Sequence, residues 1–453
     1  MIATHRAQLR TILACIAVFV TVVLIRGWYV HRYALPLPFW DQWDSEGDFL
    51  LRPWIEGTLS VSDLWQPHNE HRILPTRLTS LMLYEITGQW NNLYSAFFDV
   101  LLAAFAAASA LWLAVRESGL RGLRWLIVAM VLMCFAAPFA WENFLVGFQS
   151  QFYYLMLFAM ASIALAAWRS DDSRAIATIL LLAVLSLLTM ASGLVTAAAV
   201  VVVYLVRHRQ SPLPRAKLWF VVLMLLSIAL IGYGTTPRPE HHVALRADGP
   251  INLIDAFDHA LGWPVIGYHW AAFWIWLPTV AAVLVLLKKK TMTPTDLAML
   301  GFAAWSVAQA AVVAYGRGRG LLELSSRYTE LMTPGLIANA WFAVRLLGMG
   351  VSSRPAPKFA AWVIAGGYFI VVFAAFAFRF DSDMAAMADR KRLSDIQTQH
   401  VRSYLLTHDP AALRQPFLQI PYPDAARLQS LLDNKALRES LSPEIMQDNA
   451  AAQ

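Results

Sequence analysis

Pro38-Phe39-Trp40-Asp41-Gln42-Trp43-Asp44-Ser45-Glu46 follows directly on the first long apolar run of the chain, residues 11–30. This juxtaposition decides the fold class. An apolar run of about 20 residues is the length of one helical crossing of a bilayer core. The acids and tryptophans beyond it read as a loop at the water interface, where aromatic side chains gather. A second polar cluster follows in Trp65-Gln66-Pro67-His68-Asn69-Glu70-His71-Arg72-Ile73, just before an amphipathic stretch at 73–86.

The rest of the chain repeats the apolar theme. Runs at 92–115, 125–140, 153–168, 175–190, 193–206, 218–234, 270–287, 297–315, 331–347 and 359–378 complete about eleven crossings. Hydrophobic residues fill 58% of the 453 positions and charged residues only 15%, against about 25% in a soluble domain. The expected fold is an all-α, polytopic membrane helix bundle. The stretch 175–206 is too long for one crossing, and Ala191-Ser192-Gly193 splits it into two short helices of a hairpin. Cys15 and Cys134 both fall inside apolar runs, which argues against a disulfide framework or a thiolate metal site. His5, Arg6 and Arg10 precede the first run, which reads as a retained helix and not a cleaved signal.

The formal charge of +6 is read as topology. No basic run interleaved with aromatics argues for nucleic acid, and none is expected as a partner. With the N-terminus inside, the short inner loops hold Arg116, Arg121 and Arg124; Arg169 and Arg174; Arg207, Arg209, Arg215 and Lys217; Lys288, Lys289 and Lys290; and Arg345, Arg354 and Lys358. The opposite face then receives residues 31–91, 235–263, 316–330 and the polar tail 379–453. A transmembrane module at 1–378, with its acidic first outer loop at 31–91, is expected to carry a small helical tail. That tail stays helix-like to Thr407, breaks at Asp409-Pro410 and resumes after Pro421-Tyr422-Pro423-Asp424 as part of a cap on the outer face.

Candidate chemistry lies on that outer face. Asp41, Asp44 and Glu46 supply carboxylates able to accept a hydroxyl proton or hold a divalent cation. Trp40 and Trp43 beside them lower the local dielectric, which is expected to raise a carboxylate pKa. The alternative is a solvated loop with its tryptophans in the aromatic belt. His68, Glu70, His71 and Arg72 are expected to face the Asp41 cluster if the loop folds back. His68 and His71 as metal ligands compete with a purely structural reading. Arg317, Arg319 and Arg327, with Tyr328, run against the positive-inside bias. A planar guanidinium fork suits a phosphate or pyrophosphate; ion pairs with Glu323 and Glu330 are the alternative. His241, His242 and Arg246 are weaker candidates. Gln149 and Gln151 lie in an aromatic outer turn suited to sugar rings, with an ordinary interfacial aromatic belt as the alternative.

The layout of many helices, an inside N-terminus, an acidic first outer loop with a following amphipathic stretch, and an outer C-terminal segment resembles the GT-C glycosyltransferases. Trp40-Asp41-Gln42-Trp43 is similar to the acid-plus-aromatic start of several bacterial members. The resemblance implies a polyprenyl-phosphate sugar donor, membrane lipids as surroundings, and a glycan, lipid or protein acceptor. It implies cell-envelope glycan synthesis at the bacterial inner membrane, with the N-terminus cytoplasmic and the C-terminus periplasmic. It makes Asp41 or Asp44 the base, or the acid that holds a divalent cation (Mg or Mn), with Asp41, Asp44, His68 and Glu70 as the available ligands. Glu46, His68, Glu70, His71, Arg72, Gln149, Arg317, Arg319, Arg327 and Tyr328 become substrate-binding candidates. The chain departs from larger members, which carry a sizeable soluble C-terminal domain. An O-antigen polymerase or ligase and a lipid-linked-sugar flippase or transporter stay open as alternatives. The transporter would place charges at mid-membrane, where Asp99 is the one acid within the apolar runs.

Overall fold

A computed structural model describes residues 2–116, 122–350 and 355–447. Arg121, Arg354 and the tail end 448–453 therefore lie outside the described residues, as do the side chains of His5 and Arg6. The described chain is all-α. Its helices, in order, are α1 (Ile2–Tyr33), α2 (Leu74–Thr87), α3 (Asn92–Val115), α4 (Arg124–Ala136), α5 (Trp141–Leu145), α6 (Ser150–Trp168), α7 (Ser173–Leu187) and α8 (Leu194–Gln210). There follow α9 (Arg215–Thr235), α10 (Pro250–Leu261), α11 (Trp270–Lys289), α12 (Pro294–Arg317), α13 (Ser326–Gly350), α14 (Pro355–Thr407), α15 (Ala425–Asp433) and α16 (Lys435–Ser440). Among the described residues, 10 helical segments are long and apolar enough to cross a membrane, and the shorter α7 is also apolar. The protein is a multi-pass membrane helix bundle.

Small side chains set how closely the helices approach. Ala103, Ala106, Ala107, Ala110 and Ala114 recur at three- and four-residue spacing on α3, and all are buried. In lipid, small faces of this kind let neighbouring backbones pack tightly, because no hydrophobic drive is available between helices. Lipid-facing positions stay apolar and exposed, among them Leu24, Leu230 and Phe378.

The hairpin expected at 191–193 is present, and Gly193 explains it. A Cβ at Gly193 would strike the Ser186 carbonyl oxygen, so only glycine lets α8 start against the end of α7. The tight turn leaves backbone groups free for the first outer loop. Ile73 N–H donates to Thr189 O at 3.1 Å and Leu74 N–H to Leu188 O at 2.8 Å. The loop is thereby tied down one residue after His71-Arg72.

α14 is one continuous helix of 53 residues, about 80 Å long at 1.5 Å per residue. A hydrocarbon core is only about 30 Å thick, so its C-terminal part stands clear of the bundle. The expected boundary at 378/379 falls inside this helix. Val401 and Tyr404 of its far end pack with Leu428, Leu431 and Leu437 of α15 and α16, and with Trp43, Leu50, Leu81 and Trp90 of the first outer loop. Trp90 N–H donates to Ser440 O at 2.6 Å, and Trp40 N–H to Pro421 O at 2.8 Å. Tail and first loop thus share one hydrophobic core at the mouth of the bundle.

Inside the bundle, Arg26 of α1 and Glu330 of α13 form an ion pair at 2.7 Å with side chains 0% and 1% exposed. Tyr153 Oη accepts from Arg26 at 2.9 Å, and Asn143 Nδ2 donates to Glu330 at 2.9 Å. The alternative ion pairs considered for the late arginines are therefore not formed with this acid. Glu323 instead meets Arg379, at 2.6 Å. Arg26 lies two turns below the end of α1 and Glu330 one turn into α13, nearer the site-bearing end than the middle.

Candidate active site

The first outer loop folds back as expected, and a four-residue turn does the positioning. His68 N–H donates to His71 O at 2.7 Å, and His71 N–H to His68 O at 2.9 Å. Asn69 adopts φ +51 inside this turn, a left-handed conformation that asparagine tolerates better than most residues. The turn sends His68 and His71 toward different cavities.

On one side lies a cavity of about 400 Å³. Its apolar wall includes Met190, Leu194, Val312 and Leu331, and its rim carries Glu70, His71, Arg238, His242, Arg246 and Arg317. Arg317 Nη2 donates to Glu70 Oε1 at 2.8 Å, and His242 Nδ1 lies 2.7 Å from Glu70 Oε2. Burial works to raise the Glu70 pKa, but His71, Arg317 and His242 outweigh it and bring the group to about 2. Burial pushes His71 down to about 4 in spite of Glu70, so its ring is neutral at pH 7. Its Nδ1 accepts the Ala191 N–H at 3.1 Å, which makes the hairpin turn the orienting element for this side chain. Arg238 stacks over Tyr233 and Arg246 over Tyr315, with centroid distances of 4.9 and 5.9 Å; all four residues line the cavity. Guanidinium stacking of this kind leaves the N–H edge free to bind an anion.

On the other side lies a more polar cavity of about 550 Å³, lined by Asp44, Phe49, Pro67, His68, Asn69, Arg77, Tyr422, Asp424 and Arg427. Asp41 stands beside His68 of this turn, with Oδ2 3.8 Å from His68 Nε2 and its side chain 44% exposed, and lines neither cavity. The expectation that tryptophan walls raise its pKa is corrected. Burial does push the carboxyl upward, but the neighbouring His68, with Arg327 and His71 behind it, holds it below the usual carboxylate range. Trp43 is fully buried, donates to Pro38 O at 2.9 Å and packs edge-on against Trp90. Trp40 meets Phe417 of the tail.

The other acids are engaged elsewhere. Asp44 accepts from Tyr422 Oη at 2.6 Å and from Arg427 Nη2 at 3.1 Å, and Arg427 also meets Asp48 at 2.5 Å. Burial and the bond to Asp44 push the Tyr422 hydroxyl up to about 12. Glu46 is corrected as a substrate contact. It is 2% exposed and accepts from Ser80, Gln42 and Trp90 at 2.6, 2.8 and 3.3 Å, so it anchors the π-helical segment Trp43–Leu51 of the loop to α2. Burial raises its pKa above 4.5.

The late arginines separate. Arg317, the last residue of α12, faces the apolar cavity. Arg319, two residues on, is corrected: it points outward, 3.7 Å from Asp248 and 57% exposed. Gly320 with φ +66 then turns the chain. Arg327 opens α13, where Glu142 accepts Ser325 Oγ, Ser326 Oγ and Arg327 N–H at 2.6, 2.7 and 3.1 Å. A carboxylate there also complements the positive end of α13. Arg327 lies over Tyr328 at 5.5 Å, and Tyr328 lines the apolar cavity. Arg72 donates to Thr235 O at 2.8 Å, tying the loop to the end of α9. Gln149 accepts from Gln151 at 3.2 Å and lines neither cavity.

The acids named for a divalent cation do not converge on one ion. Asp44 is held by Arg427 and Tyr422 and Glu70 by Arg317, which leaves only Asp41 beside His68. Two residues of the apolar cavity were missed. Arg238 carried the same signal as Arg317, a basic residue on an otherwise acid-rich face. Gln309 interrupts the apolar run of α12; it is 0% exposed, and neither amide atom has a hydrogen-bond partner.

No protein-family profile matches the chain, and no curated protein sequence does. Among solved structures, the fold is similar to the archaeal oligosaccharyltransferase AglB from Archaeoglobus fulgidus, in complex with an inhibitory peptide and a dolichol-phosphate. That similarity has 11% sequence identity and a TM-score of 0.49 over 89% of this chain. The chain spans 58% of that protein's length.

Proposed function

We propose that the protein is a GT-C-type membrane glycosyltransferase that moves a sugar from a polyprenyl-phosphate donor to an acceptor hydroxyl. The observation that carries this reading is the His68–His71 turn. It sets His71 on an apolar, arginine-rimmed cavity and His68 on a polar one, with Asp41 3.8 Å from His68. A lipid phosphate needs an apolar wall for its chain and cationic donors for its head, and the first cavity offers both. A hydroxyl-bearing acceptor suits the second.

The chemistry follows from these positions. Asp41 takes the acceptor hydroxyl proton as the oxygen attacks the anomeric carbon. The bond from that carbon to the phosphate oxygen breaks on the opposite face, and its electron pair leaves with the phosphate. Arg317, with Arg238 and Arg246, stabilises the charge that gathers there. The result is a single displacement with inversion, and the polyprenyl phosphate leaves without a dedicated acid. His68 orients Asp41, and Glu70 holds Arg317 ready until a phosphate competes for it.

Arg317 and Arg319 provide an internal control. Arg317→Ala is expected to lower the rate of donor use by about 10²–10³, the usual cost of losing one preorganised donor. Arg319→Ala, at an exposed side chain that meets Asp248 and the Ala244 carbonyl, is expected to leave it within a factor of about two, as an exposed pair is worth little. Equal effects at both positions, measured with purified protein and a polyprenyl-phosphate sugar, contradict the assignment.

The orientation belongs to the same proposal: Asp41 and the tail face the periplasm of a bacterial inner membrane, and the short basic loops face the cytoplasm. Ser45 and Ser394 are buried and unsuitable as probes, whereas Thr58, Ser430 and Ser211 are exposed. Membrane-impermeant thiol reagent is expected to label cysteine at 58 and 430 in intact cells and to spare 211. The reverse pattern inverts the topology.

A further inference from the structure

Away from both cavities, α10 and the start of α11 bring together Asp255, His259 and His269. One ligand atom from each lies within 4.8 Å of the others. Asp255 and His259 are four residues apart on α10, so they share one helix face. The turn after α10 then returns His269 over that face, with the two imidazole rings 4.8 Å apart and inclined by 35°. His259 Nε2 is 3.7 Å and His269 Nε2 is 3.5 Å from Asp255 Oδ1. Two ligands of a tetrahedral zinc ion, at about 2.0–2.1 Å from the metal, lie about 3.4 Å from each other. The two Asp–His separations match that spacing to within a few tenths of an ångström, and the two imidazoles, with all three ligand atoms within 4.8 Å of one another, need to close by at most about 1.4 Å, a side-chain adjustment, to share one ion.

A second contact points the same way. His269 Nδ1 lies 2.9 Å from Asp258 Oδ2. That bond fixes the proton on Nδ1 and leaves the Nε2 lone pair facing Asp255 and His259. A histidine that binds a metal through one nitrogen commonly gives its other N–H to a carboxylate in this way, which orients the ring and strengthens the ligand. The buried side of the site is closed by His259, 4% exposed, while His269 is 67% exposed. An ion can therefore enter from solvent and keep a water as its fourth ligand.

We propose that Asp255, His259 and His269 bind one zinc ion, with Asp258 holding His269 in its ligating orientation, and that the ion clips α10 to the start of α11. Two imidazoles and one carboxylate suit zinc better than magnesium or calcium, which prefer all-oxygen sites. The site is independent of the transferase reading and shares no residue with either cavity described above.

The test uses the full chain in detergent, stripped with a chelator and dialysed against ZnCl₂, with metal content read by mass spectrometry. Wild type is expected to retain one zinc per chain and to melt at a higher temperature with zinc than without. The His259→Ala/His269→Ala double variant is expected to retain none, Asp258→Asn to bind about 10–100-fold more weakly, and Asp41→Asn to bind as wild type does. CoCl₂ added to stripped wild type is expected to give the intense visible absorption of a four-coordinate site, a readout that needs no variant to fold. A folded wild type that binds no zinc, a double variant that keeps it, or cobalt with only the weak spectrum of a hexaaqua ion overturns the proposal.

Discussion

Asp41→Asn is expected to abolish the proposed sugar transfer, with a loss of at least about 10²–10⁴ in rate, while the protein inserts, melts as wild type does and still binds the lipid donor. The asymmetry follows from the site. Asp41 is the half-exposed carboxylate beside His68, and asparagine keeps its shape and that contact but cannot accept a proton. Asp44→Asn is expected to act differently. It loses the ion pair to Arg427, loosens the contact between loop and tail, and lowers melting temperature along with rate. The pH profile supplies a second readout. On the proposed mechanism the ionised form of Asp41 is the base, and its carboxyl is held below the usual carboxylate range, so its ionisation persists as the pH falls. His71, at about 4, stays neutral over the same range. The rate is therefore expected to stay flat from pH 7 to pH 5 with respect to both groups. An acid limb within this range would contradict Asp41 as the base.

Arg26→Met is the substitution with the largest expected effect on stability. It strips Glu330 of its 2.7 Å partner in a site where both side chains are essentially inaccessible. Breaking a buried pair from one side costs about 3–5 kcal/mol, because an uncompensated charge remains, whereas replacing both partners with apolar groups costs far less. Arg26→Met and Glu330→Met are each expected to reduce yield and melting temperature sharply in detergent, and the double variant is expected to recover most of the loss. A double variant as poor as the worse single one would show that Asn143 and Tyr153, which bond to the same pair, need those charges. Transport would be the reading to pursue if all variants folded well and only uptake of a lipid-linked sugar failed.

Much of the architecture was legible because bilayer thickness converts apolar run length directly into helices, and Gly193 marked the hairpin by its chemistry. The candidate site was legible as a set of loops but not as a set of contacts. Asp41, Asp44 and Glu46 look equivalent along the sequence. What separates them is Arg427 and Tyr422, about 380 residues away, and Ser80 and Trp90 on the far side of α2. Tryptophan neighbours in sequence suggested a low-dielectric wall, yet Trp43 turns its ring into the loop's own core. Arg317 and Arg319 differ because α12 ends between them, a boundary that a Gly-Arg-Gly-Arg-Gly run does not disclose. Gln309 was overlooked because one amide scarcely changes the hydropathy of an apolar run, although its cost in lipid is what makes it informative.

If the cavity between α8, α9 and α12 receives a lipid phosphate, as proposed, a cryo-electron microscopy map of the purified protein with undecaprenyl phosphate is the most direct measurement. Phosphate density is expected within hydrogen-bonding distance of Arg317, isoprenoid density along Leu194 and Val312, and loss of both in Arg317→Ala at the same lipid concentration. A map with the phosphate bound elsewhere and this cavity unfilled, or with the same density in the variant, would contradict the proposal.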